Sequence, residues 1–132
     1  MIGLDTHVLL RYFAQDDARQ SALANRLIDT GLSPSRQAHV SLVTLAELVW
    51  VLRSRYRATL GFVSDALAHL LADRRFVVQD RNAAWAALDL YRSGKTDYAD
   101  ALMATLDRTY GCTHTFTFDK KAAQHAGMSL LE

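Results

Sequence analysis

Short apolar segments alternate with helical periodicity along the whole of this 132-residue chain. Strand-like runs lie at 2–5 (Ile-Gly-Leu-Asp), 38–43 (Ala-His-Val-Ser-Leu-Val), 76–78 (Phe-Val-Val) and 114–118 (His-Thr-Phe-Thr-Phe), with 129–131 as a last edge strand. Between them the spacing predicts helices over 6–14, 16–30, 45–57, 60–72, 81–93, 97–109 and 120–126. A parallel strand pair needs a crossover, usually a helix, so this alternation implies a mostly parallel sheet with helices packed on it. The expected fold class is α/β, with a central sheet of 4–5 short strands flanked by helices. Half the residues are hydrophobic and no Pro/Gly/Ser-rich linker divides the chain, which suits a single domain over 1–132.

Several function classes are excluded early. No run of ~18 apolar residues exists, so no membrane span is expected. The start Met-Ile-Gly-Leu-Asp has an acid at position 5 and no basic segment, unlike a secretory leader. The one cysteine, Cys112, leaves no internal disulfide and no Cys-rich metal motif. Together these point to a cytoplasmic protein. The net charge of +1 neither demands nor excludes nucleic acid.

Acidic residues mark the starts of four of the expected helices: Asp5, Glu47, the pair Asp97 and Asp100, and Asp119. Asp5 and Asp119 directly follow strands. In an open α/β sheet the carboxyl ends of the strands border the ligand crevice. Carboxylates gathered there repel one another unless a cation sits among them. The set therefore suggests a divalent-metal site, and magnesium suits it as a hard cation that takes oxygen ligands and keeps several waters. Each acid also has an ordinary reading. Asp5 and Asp119 are plausible helix caps. Thr44-Leu45-Ala46-Glu47 matches a capping box. Asp97, Asp100 and Asp107 fit a solvated stripe. Thr6, beside Asp5, and Thr117, two residues before Asp119, are placed to support carboxylates by hydrogen bonding.

Four motifs in order carry a family resemblance over essentially the full length. They are Ile2-Gly3-Leu4-Asp5-Thr6-His7-Val8-Leu9-Leu10, Val43-Thr44-Leu45-Ala46-Glu47-Leu48, Asp97-Tyr98-Ala99-Asp100-Ala101-Leu102-Met103-Ala104, and Thr115-Phe116-Thr117-Phe118-Asp119-Lys120-Lys121-Ala122. The chain resembles PIN-domain ribonucleases, in particular the toxin subunits of VapBC-type toxin–antitoxin pairs. The resemblance implies a PIN-like three-layer sandwich and a metal-dependent endoribonuclease using Mg2+ or Mn2+. It places Asp5, Glu47, Asp100 and Asp119 on the family's acidic quartet. Asp97 adjoins that quartet and is open between a fifth ligand, a partner behind the ligands and a helix-start charge. His7 stands where the family often has Asn, and is open between a substrate contact and a surface histidine. Hydrolysis by water would leave a 5′-phosphate and a 3′-hydroxyl. The implied partners are an RNA substrate, a cognate antitoxin protein and a second copy in a homodimer, with no membrane.

Two further features bear on partners. An acidic pocket needs basic surroundings to admit RNA, and Arg11, Arg53, Arg55, Arg57, Arg92, Lys95, Lys120 and Lys121 flank the acidic motifs, although Lys and Arg populate any soluble surface. Helix 45–57 is apolar on more than one side, and Trp50, Val51 and Tyr56 with Phe62 and Leu70 suggest an extra apolar surface. That surface reads either as deep burial or as a homodimer face or antitoxin groove. Trp85 reads as core, and Cys112 has no assigned role. The competing reading is a non-catalytic PIN-like binding module that uses its acids only as caps. A receiver-like phosphotransfer domain fits poorly, because Asp16-Asp17 lies too far beyond the first strand.

Overall fold

The computed structural model describes residues 1–132, which divide into two compact units, Met1–Arg81 and Asn82–Glu132. The first contains β1 (Ile2–Gly3), α1 (Thr6–Ala14), α2 (Ala18–Asn25, continued by a wide π-helical turn to Gly31), β2 (Ala38–Val40), α3 (Leu42–Ser54), α4 (Leu60–Ala72) and β3 (Phe76–Val78). The second contains α5 (Arg81–Tyr91, opening at the boundary), α6 (Tyr98–Thr109), β4 (Phe116–Thr117), α7 (Lys120–His125) and β5 (Ser129–Leu130). The fold is α/β with short parallel strands, as expected. The five strands hydrogen-bond as a three-stranded sheet in the first unit and a two-stranded sheet in the second, where the sequence suggested one ladder.

In the first unit the strand order is β1-β2-β3, with Ile2 beside Ala38 and Ala38 beside Phe76. Both crossovers advance in the same direction. Right-handed crossovers then place the α1–α2 and α3–α4 connections on one face of the sheet. The packing agrees, since α1 lies on α3, α3 on α4 and α4 on β3. The strands show the matching alternation. Ala38, Val40, Phe76 and Val78 are buried, while His39 is exposed and Val77 half-buried. On α3, Leu45, Leu48, Val49 and Leu52 recur at helical spacing and are buried, as are Leu9 on α1 and Leu67 and Leu70 on α4, the helices α3 packs on.

The start of α3 departs from the expectation. The run 38–43 was expected as one strand, but the strand ends at Val40. Ser41 caps a helix that begins at Leu42, its hydroxyl accepting from the Thr44 N–H at 3.1 Å. Gln79 takes the next orphan donor, the Leu42 N–H, at 3.1 Å. Apolar Leu42 and Val43 therefore continue the strand pattern in sequence while forming the helix's first turn. The Thr44–Glu47 capping box does not form, and Glu47 lies in the second turn.

In the second unit Phe116 pairs with Ser129 and Thr117 with Leu130. Ala104, Ala122, Ala126 and Met128 form a small buried cluster beneath this pair. Gly127 ends α7 at φ +77°, and the Met128 N–H returns to the Ala122 carbonyl at 3.3 Å. This is the left-handed terminus for which glycine is favoured. No helix in the chain is long and apolar enough to cross a membrane.

Candidate active site

The acids fall into two groups, one in each unit. In the first, Asp5 caps α1. Its Oδ1 accepts the His7 and Val8 N–H groups at 3.0 and 3.2 Å, which satisfies two of the helix's orphan donors. Oδ2 takes no hydrogen bond. Glu47 contributes nothing to the start of its helix. Its Oε1 instead accepts the hydroxyl of Thr6, a buried side chain 41 residues earlier in the chain. The support expected from Thr6 is thus present, directed at Glu47 rather than at Asp5. The hydrogen bond fixes one carboxylate oxygen of an otherwise exposed side chain.

In the second unit Asp97 caps α6, its Oδ1 accepting the Ala99 N–H at 3.2 Å. Asp119 caps α7, its Oδ1 accepting the Lys121 and Ala122 N–H groups at 2.8 and 3.2 Å. Both leave Oδ2 without a partner. Thr117 acts on the backbone, its hydroxyl oxygen accepting the Asp119 N–H at 3.0 Å, so it fixes the cap and does not touch the carboxylate. Asp100 is half-buried in the first turn of α6. A helix N-terminus favours negative charge there. Burial, then the charges of Asp97 and Asp119, nonetheless push its carboxyl above the usual aspartate range. Desolvation and like charge thus outweigh the helix dipole.

Asp97, Asp100 and Asp119 are oxygen donors of one sign whose mutual repulsion a hard cation would relieve, so the donor chemistry of this group fits a divalent ion. Within neither unit do three or more His, Cys, Asp or Glu side chains close into a group able to hold a metal.

An open cleft of about 370 Å³ adjoins Asp5 between α1 and α2, lined by His7, Val8, Arg11, Gln20, Leu23, Ala24 and Leu27. His7 therefore borders a cavity. Arg11 is already committed. It donates to Gln20 at 2.7 Å, to both Asp16 oxygens at 3.1 Å and to the Tyr56 hydroxyl at 2.9 Å. Of the other basic residues, Arg53 donates to the Ala58 carbonyl at 2.9 Å, Arg55 lies over Trp50, and Arg92 pairs with Asp89. Lys95, Lys120 and Lys121 are exposed and hold no partner.

The extra apolar surface on α3 exists in part. Val43 and Trp50, seven residues apart and so on one helix face, are 78% and 58% exposed, and Phe62 on α4 is also exposed. Leu70 does not belong to it, being fully buried. Trp85 is half-buried rather than core, and Cys112 is exposed.

The PIN domain family model matches residues 2–128, nearly the whole chain and all five acids. The chain belongs to the PIN domain family. PIN domains are typically nucleases that generally use divalent metal ions, so membership suggests nuclease activity and nucleic-acid binding in general. Comparison with curated proteins and with solved structures gave no match.

Proposed function

We propose that this PIN domain is a metal-dependent endoribonuclease that hydrolyses RNA phosphodiester bonds. Residues 1–132 would work as one domain, with Asp5, Glu47, Asp100 and Asp119 serving one reaction. The observation that carries the reading is the pair Glu47 and Asp100. Capping accounts for Asp5, Asp97 and Asp119, and Asp17 shows that a cap alone is ordinary here, since it accepts the Gln20 N–H at 2.8 Å and starts α2. Capping does not account for Glu47, held by Thr6, or for Asp100, held against two like charges.

In this reading Asp5 and Asp119 would hold Mg2+ or Mn2+ directly, using the oxygens their caps leave free. Glu47 and Asp100 would hold it directly or through water, and one of them would orient the attacking water. Asp97 completes the negative field or ligates as a fifth acid. A bound divalent ion would supply positive charge against the scissile phosphate and lower the pKa of the attacking water. Lys95, Lys120 and Lys121 are free to contact RNA phosphates, which gives a salt-dependent affinity.

The same reading makes the protein the toxin of a cytoplasmic toxin–antitoxin pair, silenced by a cognate antitoxin. The exposed Val43 and Trp50 face supports a homodimer or antitoxin contact, because a large exposed apolar patch marks an interaction surface. The capping of Asp5, Asp97 and Asp119 favours the second reading, a non-catalytic PIN-like binding module. The experiment is cleavage of pooled cellular RNA with Mg2+ or Mn2+, with EDTA, and by a folded Asp5→Asn variant. Cutting that needs metal and is lost in the variant supports the nuclease. A folded protein that never cuts supports the binding module.

A further inference from the structure

Residues 114–118 invert the ordinary rule for a half-buried strand. Side chains alternate across a strand, and such strands usually turn apolar residues inward and polar ones outward. Here the threonines are the half-buried set, and both are engaged. Thr115 donates to Asp107 at 2.7 Å, and Thr117 accepts from the Asp119 N–H. Their carbonyls carry the ladder, accepting the Ser129 and Leu131 N–H groups at 2.8 Å. The aromatic set faces outward. Phe116 is 61% exposed and Phe118 79%, and His114 is exposed beside them. The His114 and Phe116 rings lie nearly parallel, 7° apart with centroids at 5.5 Å. One ring stack is therefore already formed on the surface, and Phe118 is exposed just beyond the end of β4.

We propose that His114, Phe116 and Phe118 form a stacking platform for the unpaired bases of single-stranded RNA. This rests on the nuclease reading and adds a base-stacking site to it. Bases offer a π-face to an aromatic ring whatever their identity, and single-strand binders combine such rings with positive charge along the backbone path. Both parts are present, since the row runs directly into Asp119, Lys120 and Lys121, and the two lysines are unpartnered. The rings and cations thus complement the two faces of one polymer, its bases and its phosphates. A duplex keeps its bases stacked and unavailable, so the platform selects loops and single strands. Because stacking reads no base edge, the row adds affinity and register without strong base preference.

The test is fluorescence anisotropy with labelled oligouridylate and a matched duplex, in EDTA so that cutting does not consume the probe. Phe116→Ala and Phe118→Ala should each weaken single-strand binding roughly 5- to 150-fold, with little change for the duplex. Phe118→Tyr should bind as the wild type, whereas Phe118→Leu, apolar but without a ring, should bind as weakly as the alanine variant. The salt slope should not change, because no phosphate contact is lost. Equal binding by the leucine variant and the wild type would overturn the proposal, as would a wild type that binds no single strand. So would alanine variants that keep RNA affinity but lose self-association, since the row would then be a protein interface. Cleavage with Mg2+ or Mn2+ separates the two claims. A wild type that binds through these rings but never cuts keeps the platform and removes the nuclease. A double alanine variant that binds and cuts as the wild type does the reverse.

Discussion

Replacing Thr6 by valine removes one hydrogen bond and almost nothing else, because the two side chains share a shape and Thr6 is buried. The lost bond runs to a carboxylate, and hydrogen bonds to charged groups contribute about 1.5–3 kcal/mol. Glu47 is exposed, so water replaces the hydroxyl and most of that is recovered. The expected cost is about 1 kcal/mol of stability, at the low end for a hydrogen bond with one solvated partner. Activity should fall further than stability suggests. Glu47 would keep its charge but lose its fixed orientation, and removing the group that orients a metal ligand typically costs about 10- to 100-fold. Urea unfolding and the initial rate of RNA cleavage measure the two effects separately. Thr6→Ser should retain both. In a Glu47→Gln background Thr6→Val should lower the rate no further, since the two act through one interaction. A Thr6→Val protein that cuts at the wild-type rate would refute the reasoning and leave Thr6 a packing residue.

Three other outcomes are expected. Asp100 has a raised pKa in the folded chain, so the stability tied to its protonated form is full below the unfolded value, about 3.9. It is lost as pH rises through the raised folded value and stays lost at neutral pH. Asp100→Asn should therefore melt higher than the wild type at pH 7 while losing activity, with the difference closing in acid. Ser41→Ala should cost about 1 kcal/mol through the lost cap of α3, and Thr44→Ala should cost less, as read from thermal unfolding. Leu70→Ala should cost about 2–5 kcal/mol, because the side chain is fully buried, whereas Trp50→Ala should leave monomer stability nearly unchanged.

The alternation of strands and helices was legible because each element is short and strongly patterned. The helix over 60–72 and the strand over 76–78 match the structure to the residue. The start of α3 was not, because Leu42 and Val43 extend an apolar run that fits a strand as well as a first helical turn. The Ser41 hydroxyl takes the Thr44 N–H in place of the expected Thr44 cap, and Gln79 takes the Leu42 N–H. That contact comes from 37 residues away, beyond any local pattern. The caps of Asp5 and Asp119 were legible as local chemistry, whereas Asp97, read as a helix-start charge or part of a solvated stripe, turns out to cap α6. The partnership of Thr6 with Glu47 was not, since it joins side chains 41 residues apart. The outward row at 114–118 left a readable signal, a strict alternation of threonine with an aromatic or histidine. What the pattern could not reveal was which set faces out, because that depends on Asp107 and the Asp119 N–H taking the hydroxyls inward.

The central claim is that Asp5, Glu47, Asp100 and Asp119 serve one reaction rather than acting separately as caps and surface charges. The most direct measurement is the RNA cleavage rate, in saturating Mg2+ or Mn2+, of the four single variants to Asn or Gln beside Asp17→Asn. Asp17 caps α2 as Asp5 caps α1 but lies outside the set. The account predicts that each of the four loses about a hundredfold or more while folded, as expected for groups acting on the reacting charge. Asp17→Asn keeps a capping oxygen, so it should fold and cut as the wild type does. Four variants that cut as well as Asp17→Asn would contradict the account and leave the acids as caps and surface charge.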